Sequence, residues 1–152
     1  MSNRTWLNPW LFPRGIPRAT LLIRILVGWV FVSEGAQKFL FPAALGAGRF
    51  TKIGIPAPGV LAPFVGVVEI AGGLFVLLGL LTRLAALPLI ADMTVAIITT
   101  KVPILVHHDF WPMAHEVRVD VSMLLGALFL LVVGPGPLSV DARLLRHGQG
   151  KA

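Results

Sequence analysis

Six ionisable residues, Arg24, Glu34, Lys38, Glu69, Asp92 and Asp120, stand inside long apolar stretches. A charge at the centre of a membrane helix costs about 2.5–3.5 kcal/mol on insertion scales unless it faces protein or water. These six are therefore expected to point inward as an intramembrane polar network. Glu34 and Lys38 are four residues apart on one helical face and can pair directly. Two basic groups against four acidic ones leave two negatives, to be completed by a proton, a cation or a donor group on a ligand. Trp29, Lys38 and Glu69 are the residues picked out as a possible ligand lining. Such a network either holds the helices in register or is put to functional use, and no catalytic residue is assigned.

A second cluster, His107, His108, Asp109, His115 and Glu116, offers imidazole and carboxylate groups within ten residues. His107, His108, His115 and Glu116 are the only weak candidates for metal ligation, because their spacing follows no metal-site pattern and Pro112 interrupts them. The preferred reading is an interfacial polar loop anchored by Trp111, with proton exchange through the imidazoles as an intermediate possibility. No metal is assigned. There is no cysteine, which excludes disulfides, thiolate metal sites and a thiol relay of the chain's own. No glycine-rich phosphate loop and no nucleophile elbow is present.

The elements that must position these groups follow from composition. Of 152 residues, 56% are hydrophobic and only 13% charged, and the mean hydropathy is +0.84. A soluble helical protein would need wide polar faces that Val60 to Leu81 lacks. The net charge of +6 gathers at the ends and in short connections, as suits a membrane surface; no basic run alternates with aromatics, so nucleic acid is set aside. A bilayer core needs about 20 apolar residues per helix. Four windows approach that length, about 19–41, 60–81, 84–106 and 116–133. The fold class is thus all-α, an integral membrane four-helix bundle over 19–134.

Residues 1–18, with Trp6 and Trp10 beside Arg14 and Arg18, are expected to form an interfacial segment without a cleaved signal peptide, and 135–152 a cytoplasmic tail. Arg4, Arg14, Arg18, Arg83, Arg143, Arg146 and Lys151 fall on one side of the spans, and Arg49, Lys52, Lys101 and Arg118 on the other. Seven against four puts both termini in the cytoplasm of a multi-pass inner-membrane protein. By helical rise Arg24 lies roughly 9 Å inward from Arg18, and Asp92 roughly 13 Å from Arg83. These two are expected to form a cytoplasmic-half pair. Glu34, Lys38, Glu69 and Asp120 fall in the outer half as a polar chamber. Stripes of small residues, Gly28 and Gly35 in the first helix and Gly66 and Gly73 in the second, suit close helix packing.

The order Arg24-x3-Gly28, FVSEGAQKF, VGVVEIAGGLFVLLGL, LTRLAALPLIADMTVA and GPGPLSVD, from about Leu21 to Leu144, resembles the DoxX family of membrane proteins. The resemblance implies a four-helix bundle and places Arg24, Gly35, Lys38, Glu69, Gly79, Gly134, Gly136 and Asp141 on recurrent motif positions. It also implies an accessory subunit of a membrane oxidoreductase system, quinone-linked or concerned with thiol and oxidative stress, with quinone as a possible cofactor. A partner membrane protein is expected alongside the lipid bilayer. An assembly or interaction factor without redox role is the alternative, and a small proton-coupled carrier the third reading. Any enzymatic activity would be that of an oxidoreductase subunit.

Overall fold

A computed structural model of the protein describes residues 16–107 and 109–149. The expected N-terminal interfacial segment with Trp6 and Trp10, His108 and Lys151 lie outside these residues. Among those described there is no strand. The helices are α1 (Thr20–Leu40), α2 (Ala47–Lys52), α3 (Pro58–Leu78), α4 (Thr82–Ala96), α5 (Val102–His107), α6 (Phe110–Val133) and α7 (Val140–Gln149), with a π-helical turn (Ile97–Lys101) joining α4 to α5. Among the described residues three helices are long and apolar enough to cross a membrane: Thr20–Leu40, Pro58–Leu78 and the continuous run Thr82–His107. The fourth long helix, α6, carries Glu116, Arg118 and Asp120 and falls short of that apolar measure.

Proline and glycine set the boundaries. Pro42 disfavours helical backbone at Phe41 and ends α1. Pro58 occupies the first position of α3, where a missing N–H costs nothing. Gly79, at φ 68°, closes α3, with Leu80 N–H bonded to Phe75 O at 2.9 Å and Gly79 N–H to Val76 O at 3.1 Å. Helix α6 begins at Phe110, six residues before the expected Glu116, because Pro112 falls in its first turn and is tolerated there. Most of the expected polar loop is accordingly helix.

Helix α1 lies antiparallel against α3, α4 against α6, and α3 turns tightly into α4. The α1–α3 contact is backbone to backbone. A Cβ on Gly35 would stand 2.6 Å from Gly66 O, and one on Gly73 would stand 2.8 Å from Gly28 O. The two small-residue stripes therefore meet, bringing the helices close enough for short side chains to reach across. Val27, Phe31, Val76, Leu89, Met93, Met123 and Leu130 fill the centre. Outward faces are apolar too: Leu22, Val60, Val106 and Val132 are each about two-thirds exposed or more, as lipid-facing residues should be.

One end of the bundle is knotted. Arg24, 1% exposed, sends Nε to Val76 O (2.8 Å), Nη2 to Leu77 O (2.5 Å) and Nη1 to Pro135 O (3.2 Å) and Leu138 O (2.6 Å). A cation thus sits on the free carbonyls at the C-terminus of α3. Arg83 does the same for α6, donating from Nη2 to Val132 O at 2.8 Å. Asp141 accepts from Leu81 N–H at 2.9 Å and so holds that residue at φ 46°, a left-handed conformation costly for a side chain of this kind.

Candidate functional site

The opposite half of the bundle encloses a chamber of about 500 Å³. Its walls bring together Glu34 and Lys38 of α1, Glu69 of α3, Asp92 of α4 and Asp120 of α6. Three further charged residues join them: Arg49 from α2, Lys101 from the π turn and Glu116 from α6. Apart from Thr99 and Thr100 the rest of the wall is apolar, with Phe31, Phe50, Phe64, Met93 and Met123 prominent.

Each charged group arrives by a local device. Glu69 follows Ala62 and Gly66 on the buried stripe of α3, where the missing side chains of Gly35 and Gly66 leave room for Lys38 to reach it. Lys38 Nζ lies 2.8 Å from Glu69 Oε1 and 2.6 Å from Oε2. Glu34, expected to pair with Lys38, lines the chamber instead. Lys101 owes its position to the π turn. Pro103 has no N–H to offer Thr99 O, so the helix widens by one residue there. Two turns beyond Met93 an unbroken helix would place about Thr100 on the inner face; the extra residue gives that place to Lys101, whose Nζ stands 3.4 Å from Asp120 and 3.6 Å from Glu116.

Asp92 is not beside Arg24. Arg24 is taken up by carbonyls at the knotted end, whereas Asp92 stands near Glu69, close enough for the two carboxyls to act on each other electrostatically. The reason is readable in retrospect. Glu69 stands eleven residues before Leu80 and Asp92 eleven after Leu81, so the tight turn brings them to one level. Depth measured from Arg83 alone hid that symmetry. Trp29, expected beside Glu69 and Lys38, points outward and is 66% exposed. His115 lies on the exposed face of α6 with its ring against Arg118, and His107 ends α5 away from the chamber. Among the described residues no three metal-ligating groups converge.

Lys101 and Arg49 are the residues that sequence reasoning did not assign to the interior. Lys101 falls five residues before the end of the expected third span, and that position inside the apolar run was the signal. Arg49 sits on a helix too short to show periodicity.

The chamber's charge does not balance. Glu34, Glu69, Asp92, Glu116 and Asp120 face Lys38, Arg49 and Lys101, five acidic groups to three basic. Glu69 Oε2, Asp92 Oδ2 and Asp120 Oδ2 are buried with no hydrogen-bond donor, although Glu69 and Asp120 have the Lys38 and Lys101 charges near them. Unsatisfied acceptors in such a site seek a proton or a ligand's donor.

The DoxX family model matches residues 19–107. An uncharacterised membrane protein of Mycobacterium tuberculosis is 54% identical over 137 residues, covering 86% of this chain and 84% of its own. An uncharacterised protein of Haemophilus influenzae is 31% identical over 86% of this chain and 93% of its own. A Bacillus subtilis protein named "Putative oxidoreductase CatD" is 29% identical over 80% of this chain and 84% of its own. No solved structure matches the chain. With a family model spanning more than half its length and a membrane protein as a relative at 54% identity, the chain belongs to the DoxX family.

Proposed function

We propose that the chain is a four-span inner-membrane protein with both termini in the cytoplasm, acting as an accessory subunit of a membrane oxidoreductase system and holding a quinone-type ring in its chamber. The observation that carries this reading is the chamber itself: a space of about 500 Å³ between the helices, walled by Phe31, Phe50, Phe64 and other apolar side chains, with Lys38, Glu69 and Asp92 among its charged groups. Ligand sites take this form, a largely apolar cavity of about 300–1,000 Å³ with a few polar groups that orient the ligand. Phe31 and Phe64 would flank the ring, and Lys38, Glu69 and Asp92 would meet its oxygens. The printed name of the Bacillus subtilis relative adds weight to a redox context.

Two details support four spans. Glu116 and Asp120 turn to Lys101, and α6 at 24 residues is about 36 Å long, enough to cross. Lys101 and Arg83 are themselves buried, 9% and 4% exposed, so both leave the loop count and the basic residues stand at six against three in favour of cytoplasmic termini.

Native mass spectrometry on protein extracted in mild detergent tests the reading. The expected result is quinone retained by the wild type and lost from Glu69→Gln. Lipid alone in both would overturn it. A stoichiometric membrane partner without quinone would make the chain an assembly or interaction factor.

A further inference from the structure

We propose that the chamber's ligand is a long-tailed amphiphile of the bilayer, with its ring inside and its hydrocarbon tail leaving between α3 and α4 through an apolar seam edged by Phe64 and Val95. The proposal rests on the quinone-type reading above and adds the class of ring compound and its way into the lipid. It starts from a contrast in exposure along one wall. Lining the chamber exposes a side chain little by itself: Phe31, Phe50, Met93 and Met123 all stand in the wall, and none is more than 8% exposed. Phe64 and Val95 stand in the same wall and are 61% and 51% exposed. Their exposure is therefore outward, and they mark an edge where the chamber opens.

Helical spacing puts both residues on one seam. On α3, Leu61, Phe64 and Val65 run along the side that carries Gly72, where a Cβ would meet Leu89 of α4 at 2.9 Å. On α4, Val95 follows Asp92 by three residues and precedes Thr99 by four, so the three share a side, and Asp92 stands near Glu69 of α3. The two helices touch near their turn, at Gly72 and Leu89, and hold the chamber between them further out. The seam between α1 and α3 is shut by the contact of Gly35 with Gly66. Among the lining residues only Glu116 and Val119 of α6 are exposed as well. That rim carries the charges of Glu116 and Asp120 beside Lys101, which suit water or headgroups and would be poor company for a hydrocarbon chain.

The α3–α4 seam offers the opposite surroundings. Leu61, Phe64, Val65, Val95 and Ala96 form its lips, and both helices belong to runs long and apolar enough to cross a membrane. Phe64 lies six residues inside α3, about 9 Å from its start, and so faces the hydrocarbon of the bilayer. A tail threaded there stays in the medium it occupied before binding, because lipid chains are as apolar as the lips themselves. Only the ring then has to leave the lipid, and only the ring has to fit the chamber.

The test uses the full chain in lipid nanodiscs, with tetramethylbenzoquinone and the same ring carrying decyl in place of one methyl as probes. Binding is expressed per ligand dissolved in the bilayer, with empty nanodiscs supplying the partition, so that tail hydrophobicity alone does not count as affinity. In the wild type the decyl tail is expected to weaken binding less than about threefold. Val95→Trp, which fills the seam, is expected to raise the tail's cost at least tenfold while moving the bare ring's affinity far less. Phe64→Trp makes the same comparison from the other lip should Val95→Trp fail to fold. Val132→Trp, at an exposed position near the knotted end, is expected to change neither. A tail that costs threefold or more in the wild type overturns this proposal and leaves the quinone-type reading standing. So does a tail cost that neither seam variant raises, or that Val132→Trp raises equally. Binding of neither probe overturns that reading and the proposal together.

Discussion

The Lys38 ammonium is shared between both oxygens of Glu69, and the two side chains are 12% and 2% exposed. A pair this deep adds little net stability, because desolvation offsets most of its attraction, but breaking it is expensive. Lys38→Met is accordingly expected to cost about 3–5 kcal/mol, measured by detergent-induced unfolding against the wild type. Joining it with Glu69→Leu should recover most of that loss. A cost below about 1 kcal/mol for Lys38→Met would mean that Glu69 carries no charge to be stranded. The inward direction of Lys38, Glu69 and Asp120 was legible in the sequence, since charges in apolar runs have few places to go. Their partners were not. Spacing on one helix offered Glu34 to Lys38, but the glycine crossing of α1 and α3 brings Glu69 within reach, and only the crossing decides between them.

Among elements, the ends of α3 and α6 are finished alike. Arg24, near the start of α1, grips the last carbonyls of α3, and Arg83, near the start of α4, grips those of α6. Each antiparallel hairpin closes on itself with an arginine fork. Arg24→Lys keeps the charge but replaces a planar five-donor group with a point charge that cannot span Val76, Leu77, Pro135 and Leu138. A loss of about 2–5 kcal/mol is expected, with thermal unfolding in mild detergent as the measure; an unchanged midpoint would show the charge alone suffices. Gly79, Gly134, Gly136 and Asp141 belong to this same end: Gly79 has no room for a Cβ beside Arg24 and Ser139. Sequence patterning found the long helices and their turns because proline and glycine punctuate them. It missed the π turn, since nothing in the periodicity of IITTK announces an added residue, although Pro103 two positions later supplies the cause.

For the whole molecule, the question is which end faces which compartment. The absence of native cysteine makes this directly measurable. Thr51→Cys on α2 and Leu144→Cys on α7 both replace exposed residues. A membrane-impermeant maleimide added to intact spheroplasts is expected to label the first, and the second only after lysis. The reverse pattern would invert the topology and place the chamber toward the cytoplasm. The membrane class was legible from composition alone, whereas the chamber was legible only as a list of charges. Its enclosure depends on α2 and the π turn, elements too short or too irregular to leave a periodic trace.

The knotted end has a mechanical consequence. There Arg24, Arg83 and Asp141 tie four helices and the GPGP loop together through backbone atoms, while at the far end the same helices are separated by the chamber. A body riveted at its base and hollow at its tip behaves as tongs do. The rivet is what keeps motion at the hollow tip from becoming unfolding.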